Sequence, residues 1–312
     1  MASAHLPVLL DQVVERLTPA APGLLVDATV GLAGHARALL EAAPGFRLLG
    51  LDRDPHALAC ARLHLEPHAA RVRLVEAVFS DLPRILDETG EGPPAAILAD
   101  LGCSSLQLDT AERGFSFLND GPLDMRMGRA GSTAAELVNS APEEELMRIL
   151  WSLGEERQAR AIARAIVQRR LQAPLRTTGE LSDVVVAVLG PQRRGRVHPA
   201  TRTFMAIRLA VNAELDQLEA FLGPAARSLR PGGRVAVISF HSLEDRIVKH
   251  TLRRLEGRCT CPPSLPECRC NPQRILRVIT PRPLRPAADE IAANPRARSA
   301  RLRVAERCSE EA

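Results

Sequence analysis

Two glycines and a series of aspartates carry the chemistry that can be read in this chain. Leu24-Leu25-Val26-Asp27-Ala28-Thr29-Val30 reads as a buried strand, Gly31-Leu32-Ala33-Gly34 as a tight loop, and His35 to Ala43 as the start of a helix. A second apolar run, Leu48-Leu49-Gly50-Leu51, ends in Asp52. Glycines let a backbone come close to a bound group, and a carboxylate at the end of the next strand can accept both hydrogen bonds of a ribose diol. The pattern suits a nucleoside cofactor. Asp54 and Pro55 have the types expected at the cap and first position of the following helix, which leaves Asp52 free for that role.

Two cofactor classes fit such a site, dinucleotides and S-adenosylmethionine. A pyrophosphate asks for a fuller glycine set at the helix N-terminus than Gly31 and Gly34 provide. A Tyr/Lys hydride-transfer pair is excluded, because the chain has no tyrosine and its only lysine, Lys249, lies on a late helix. Methyl transfer is therefore favoured over nicotinamide chemistry. It requires mainly that a nucleophile be placed in line with an already activated carbon. Where that nucleophile is an exocyclic amine, an acceptor must also hold its N–H bonds and take the departing proton. Asp100, after the apolar run Ala95–Ala99, is placed for that, or else it only touches the cofactor.

The elements that must position these residues alternate. Strands are expected at 24–30, 47–52, 71–76 and 95–99, with helices at 35–43 and 55–65 between them. Continuous apolar strands alternating with helices predict a doubly wound, mostly parallel α/β sheet, with Asp27, Asp52 and Asp100 along its ligand-binding edge. The alternation stops at about 106 and resumes after 214, which predicts an inserted helical subdomain, 106–214, in a domain made of 1–105 and 215–312. Within the insertion, Thr133/Glu136 and Ser140/Glu143 are spaced as capping boxes. A helix at 156–171 carries Arg157, Arg160, Arg164 and Arg169 mostly off its apolar stripe, the pattern of a solvated face. One further helix is expected through Phe204, Ile207, Val211, Leu215 and Leu218. The loop Gln192–Pro199, with Arg193, Arg194, Arg196 and His198, reads as a phosphate-contacting element or as solvated charge. After the insertion, Val235–Phe240 reads as a strand, and Ser242 with Asp245 as the cap of a helix running to Leu255. His241 is either functional or satisfies a local backbone group. Beyond 257 one strand, Ile275–Ile279, is expected ahead of a basic tail.

Composition excludes several classes. With 312 residues, 46% apolar and 25% charged, the chain has the makings of a sizeable folded core. No apolar run approaches the roughly 18 residues that span a bilayer, and there is no basic-then-apolar leader, so a cytoplasmic protein without a membrane partner is expected. Cys60, Cys103 and Cys308 are scattered, whereas Cys259, Cys261, Cys268 and Cys270 cluster as two C-x-C elements. That cluster has zinc-type ligands without the usual zinc spacing, and no metal is assigned.

Longer blocks now add a resemblance. Asp27-x-Thr-x-Gly31-x-x-Gly34-His35, Asp52-Arg-Asp-Pro55, Asp100-Leu-Gly-Cys-Ser-Ser-x-Gln107-Leu-Asp109 and Glu112-Arg-Gly-Phe-Ser-Phe117 are four of them. Others are Asp120–Met127, His198-Pro-Ala-Thr-Arg-Thr-Phe204, Ser239-Phe-His-Ser-Leu-Glu-Asp-Arg246 and Asn294–Ser299. Together they resemble the bacterial small-subunit ribosomal RNA methyltransferase H family, essentially end to end. The resemblance implies the class I S-adenosylmethionine-dependent methyltransferase fold and methylation of a cytosine N4 in the decoding region of 16S rRNA. Its partner would be the small ribosomal subunit, with no DNA partner. Cofactor contacts would fall on Ala33, Gly34, His35, Asp52, Phe79, Asp100 and Gln107, with Asp100 also the catalytic candidate. The family usually has glycine where this chain has Ala33. The Asp/Asn-Pro-Pro-aromatic motif frequent in amino-methyltransferases is replaced by Asp100-Leu-Gly-Cys, so a base-stacking ring must come from elsewhere, with Phe115, Phe117 and Phe240 as candidates. The competing reading is a non-catalytic assembly factor on the same scaffold. The sequence does not fix the oligomeric state.

Overall fold

The computed structural model describes residues 7–192, 197–259, 261 and 273–309. The chain divides into two compact units, Met1–Gly102 with Leu215–Ala312, and Cys103–Glu214. Cys103, Ser104 and Ser105 thus go with the second unit, although the sequence reading ended the first segment at 105.

In the first unit the chain runs α1 (Leu10–Leu17), β1 (Gly23–Asp27), α2 (Gly34–Ala42), β2 (Phe46–Asp52), α3 (Pro55–His64), β3 (Val72–Glu76), α4 (Leu82–Thr89) and β4 (Ala96–Asp100). The second unit follows as α5 (Ser105–Asp109), α6 (Ala134–Ser140), α7 (Glu143–Ser152), α8 (Ala159–Gln172), α9 (Thr178–Leu189) and α10 (Thr201–Asn212). The chain then returns through α11 (Glu214–Ser228), β5 (Arg234–Ser239), α12 (Ser242–Leu255), β6 (Leu276–Val278), α13 (Ala288–Ala293) and β7 (Arg301–Arg307).

The strands form one seven-stranded sheet in the order β3-β2-β1-β4-β5-β7-β6. The first five are parallel, and β7 is antiparallel to both β5 and β6. Period-2 alternation sends Leu25, Leu48, Leu98 and Ile238 to one face, beneath Val13, Leu39 and Leu58 of α1–α3. Val26, Leu49, Ile97 and Val237 go to the other face, beneath Ile85, Phe221 and Leu252 of α4, α11 and α12. Both faces are covered, which is why these strands read as unbroken apolar runs. The architecture is the doubly wound α/β fold expected.

Several local expectations are corrected. The first strand stops at Asp27 rather than Val30: Ala28–Val30 leave the sheet while Ala28 N and Val30 N still donate to Leu98 O and Leu51 O at 2.8 Å. Ser140 does not open α7. It is the last residue of α6, its hydroxyl donates to Glu136 O at 2.7 Å, and Pro142 sits at the cap of α7. The long helix expected from Phe204 to Leu218 is two helices, broken at Ala213, whose φ is 49°. The buried Asn212 explains the break: its side chain accepts from Met127 N at 2.8 Å and donates to Met125 O at 2.8 Å, anchoring a loop there. The cap of α12 is His241, not Ser242, with Glu244 as the returning carboxylate. Asp245 instead pairs with Arg301 and Arg303 of β7.

Other elements hold as read. Thr133 with Glu136 makes a complete capping box, and Asp54 accepts from His56 N at 3.0 Å in front of Pro55. In the second unit the apolar core gathers residues such as Leu146, Ile149, Ile162, Ile166, Val185 and Ile207, with no strand of the sheet among the described residues. No helix among the described residues is long and apolar enough to cross a membrane.

Candidate functional site

Three parallel strands deliver an aspartate each to the carboxyl edge of the sheet: β1 ends in Asp27, β2 in Asp52 and β4 in Asp100. Their surroundings differ. Asp52 accepts from Gly31 N at 2.9 Å on one oxygen and from Asp54 N at 2.9 Å on the other. Each oxygen keeps a second lone pair, and the residue is only half-buried, so it can accept two further hydrogen bonds. Burial pushes its carboxyl above the ordinary range against these backbone bonds. Asp27 is buried, accepts from Thr29 N at 3.2 Å, and is pushed up to about 7, chiefly by burial and in smaller part by Asp52.

Asp100 is held by its backbone, with its N–H donated to the Thr29 hydroxyl at 2.7 Å. Its Oδ1 is buried with no hydrogen-bond partner among the described residues. Oδ2 lies 3.8 Å from His35 Nδ1. Burial, then the charges of Asp27 and Glu244, hold this carboxyl well above its ordinary value. An unpaired buried acceptor costs free energy unless a ligand completes it, so Oδ1 marks a position where a donor binds.

The glycine loop fits its task through shape. Ala33 caps α2 in the left-handed conformation, with φ 65°, and is buried. A Cβ on Gly34 would strike the Pro7 ring, so this position admits only glycine without rearrangement. His35, at the first turn of α2, is buried and bonds Val8 O through Nε2 at 2.9 Å. Phe79 follows β3 and rests edge-on against Phe221, with centroids 5.1 Å apart. Ala33, Gly34, His35, Asp52, Phe79 and Asp100 therefore all belong to the first unit. Gln107 belongs to the second, buried at the start of α5, where its Oε1 accepts from Ser104 N at 3.0 Å as half of a capping box.

The other candidates divide similarly. Phe240 is half-buried against the first unit's core. Phe115 is buried in the second unit under the Arg113 guanidinium, 5.9 Å from its centroid. Phe117 stacks on His198 at 4.4 Å with its edge partner Phe204 at 4.9 Å. Arg157, Arg160 and Arg164 are exposed. Arg193, Arg194 and Arg196 of the basic loop, and Cys268 and Cys270 of the thiol cluster, lie outside the described residues. No metal-ligating group is found among the described residues.

Sequence reasoning missed Thr29, Val8 and Glu244. The Asp27-x-Thr29 spacing was visible, but the Thr29 bond to the backbone of β4 depends on β1 and β4 being neighbours, which the sequence does not state.

The profile of the MraW methylase family matches residues 2–308, nearly the whole chain. The chain belongs to the MraW methylase family. Relatives in it include proteins named ribosomal RNA small subunit methyltransferase H. The one from Heliobacterium mobile is 49% identical over 307 residues, covering 97% of this chain and 98% of its own. That from Thermobifida fusca is 52% identical over 314 residues, covering 99% and 95%. Among solved structures, a putative rRNA-methylase from Clostridium thermocellum is similar at 12% identity, 96% and 94% coverage and a TM-score of 0.44, too distant to add to the fold read from the sheet itself.

As a member of this family the chain is a methyltransferase, and its methyl donor is S-adenosylmethionine. The residues present fit that group. Asp52 has spare acceptor capacity for a diol, and the glycine loop is tied to it through the Gly31 N–H. Bound there, S-adenosylmethionine supplies an electrophilic methyl group on a sulfonium centre.

Proposed function

We propose that this chain methylates the exocyclic N4 of a cytidine in the decoding region of 16S rRNA within the small ribosomal subunit. The relatives' printed name supports the substrate class. The observation that carries the reading is Asp100 Oδ1, a buried acceptor at the end of β4 without a donor. In this reading Asp52 holds the ribose, and Ala33, Gly34 and His35 line the donor through the loop and first turn of α2. Phe79 gives an apolar edge.

Asp100 faces the amine. A cytosine N4 lone pair is delocalised into the ring, so the enzyme must hold an N–H on an acceptor, localise that pair toward the methyl carbon and receive the proton. A carboxylate with a buried, unmet oxygen does all three, and general-base assistance of this kind contributes about 10²–10⁴-fold. The reacting base must be unpaired or splayed out of its RNA fold to reach such a site. We assign the Cys103–Glu214 unit to holding the surrounding RNA, with an affinity that falls as salt rises.

The test incubates the protein with methyl-labelled cofactor and small subunits lacking the modification, digests the RNA to nucleosides, and locates the label by mass spectrometry. Label on cytidine N4 is the expected result. Label on any other atom, or none, ends the reading.

A further inference from the structure

A chain of three contacts runs from the far end of the sequence to Asp100, all within the first unit. Glu290, in α13, accepts from Leu9 N at 2.7 Å. Leu9 is fully buried at the start of α1 with φ 55°, a left-handed conformation uncommon for leucine. One residue earlier, Val8 O takes the bond from His35 Nε2 at 2.9 Å. A carbonyl can only accept, so His35 carries its proton on Nε2, and in the neutral ring the Nδ1 lone pair points elsewhere. Nδ1 is the atom 3.8 Å from Asp100 Oδ2. That separation is ion-pair range, somewhat beyond a hydrogen bond of roughly 2.7–3.2 Å.

From this geometry we propose that His35 is the proton-holding partner of Asp100, with the Pro7–Leu9 strap and its Glu290 clamp as positioning elements. The inference rests on Asp100 being the acceptor for the amine. The problem it solves is electrostatic: with a neutral His35 beside it, half-buried Asp100 is held protonated by burial and by Asp27 and Glu244, a donor rather than an acceptor. A proton moved onto His35 Nδ1 places a positive charge beside the carboxylate and reverses that. The Asp100 Oδ2–H bond breaks and the His35 Nδ1–H bond forms, giving carboxylate beside imidazolium. As the new N–CH3 bond replaces the S–CH3 bond, the amine N–H bond breaks and an Asp100 Oδ1–H bond forms. The excess proton then leaves from the pair to solvent. Oδ2 serves His35 and Oδ1 serves the substrate, which accounts for the two oxygens having such different surroundings. Val8 O keeps its bond through both states, since Nε2–H is present in each.

Among the described residues, the charged groups acting on Asp100 are Asp27 at the end of β1 and Glu244 of α12, both of which oppose its ionisation. Asp52 acts on Asp27, and His241 lies 3.1 Å from Glu244. None of these described groups supplies the positive charge that Asp100 lacks, and His35 lies within ion-pair range of it.

The test uses the full chain with S-adenosylmethionine and unmodified small subunits, measuring kcat against pH, cofactor affinity by calorimetry, and melting temperature. His35→Gln retains an amide that can reach Val8 O but has no base at Nδ1. Because His35 also lines the cofactor, the rate is read at saturating S-adenosylmethionine, and the expected result is a kcat lower by about 10²–10³-fold. The ascending limb of the pH profile should also move to higher pH, because Asp100 without its imidazolium keeps its proton longer. Glu290→Ala should lower kcat several-fold and shift the limb the same way, and Glu290→Gln, which keeps the acceptor oxygen, should restore both. An unchanged rate and limb in His35→Gln overturns the proposal. So does a rate loss matched by lost cofactor affinity with the limb unmoved. If His35→Gln melts too low to assay, wild-type behaviour of Glu290→Ala overturns it instead. A wild-type protein that makes no N4-methylcytidine fails in its own arm of the experiment, and there the proposed function is what falls.

Discussion

Asp52 and Asp100 end parallel strands at the same edge of the sheet, yet they are finished differently. Backbone N–H groups from the Gly31 turn and from Asp54 hold both oxygens of Asp52. Asp100 has its backbone fixed by Thr29 but one carboxylate oxygen unmet. A carboxylate locked by the chain is a rigid acceptor with spare lone pairs, suited to binding. One left unmet in a buried place has its energetics decided by whatever arrives, which suits a changing proton count.

Substitution should separate the two. Asp100→Asn should lower methyl transfer by about 10²–10⁴-fold while cofactor binding stays within a few-fold, because only the proton acceptor is lost. Asp52→Asn turns one acceptor oxygen into a donor facing a backbone N–H. It should weaken cofactor binding by roughly tenfold or more, the scale of a lost charged hydrogen bond. Calorimetry alongside single-turnover assays reads both effects. Binding loss in the Asp100 variant with turnover intact would invert the contrast.

Asp27 sharpens the comparison by being neither open nor well held. Its carboxyl titrates near 7 in the folded protein against an ordinary 3.8, so between those values the folded state keeps a proton that the unfolded chain has lost. Stability therefore declines as pH rises through that window and is lowest above it. Asp27→Asn keeps an acceptor for Thr29 N and removes the titration. Its stability relative to wild type should climb between pH 4 and pH 8, by up to roughly 4 kcal/mol. Denaturant melts at the two pH values measure it, and a pH-independent difference would show that Asp27 is ionised throughout.

The legible parts of this molecule were those set by local sequence. Apolar runs gave the parallel strands, Asp54-Pro55 gave a helix start, and the strand-end aspartates were visible because each closes a run. What stayed hidden depends on neighbours distant in the chain. β7 went unread after the basic tail at 294–298 because Arg301, Arg303 and Arg307 sit among its apolar residues, and only the pairing of Asp245 with Arg301 and Arg303 explains how two of them are accommodated. The break at Ala213 was masked by an uninterrupted apolar period, since its cause is the bonding of Asn212 to a loop more than eighty residues away. The contact between His35 and Val8 O likewise joins segments that carry no shared pattern.

Helix caps in the second unit offer a smaller effect that should leave the chemistry alone. Thr177 opens α9 with a complete capping box, its hydroxyl accepting from Glu180 N at 3.3 Å. Thr177→Ala should cost about 1 kcal/mol of stability. Cofactor binding should be unchanged, because the residues assigned to it lie in the other unit except for Gln107. A calorimetric affinity that fell with the melting temperature would show that the two units do not behave independently.

The smallest expected effect concerns Ala33, where the family resemblance implies a glycine. Ala33 stands at φ 65°, where a Cβ crowds the following carbonyl by roughly 1–2 kcal/mol. Ala33→Gly removes that strain but gives up a fully buried methyl group worth about 0.8 kcal/mol and adds freedom to the unfolded chain worth roughly 0.5–1 kcal/mol. The terms nearly cancel, and the net change should fall within about 0.5 kcal/mol. Because Ala33 already holds the left-handed geometry that a glycine would adopt, the loop should keep its shape and cofactor affinity should stay within two- to threefold by calorimetry, roughly that same 0.5 kcal/mol. A tighter-binding glycine variant would mean instead that the alanine methyl displaces the loop from the cofactor. The strain at this position would then act on binding and not only on folding.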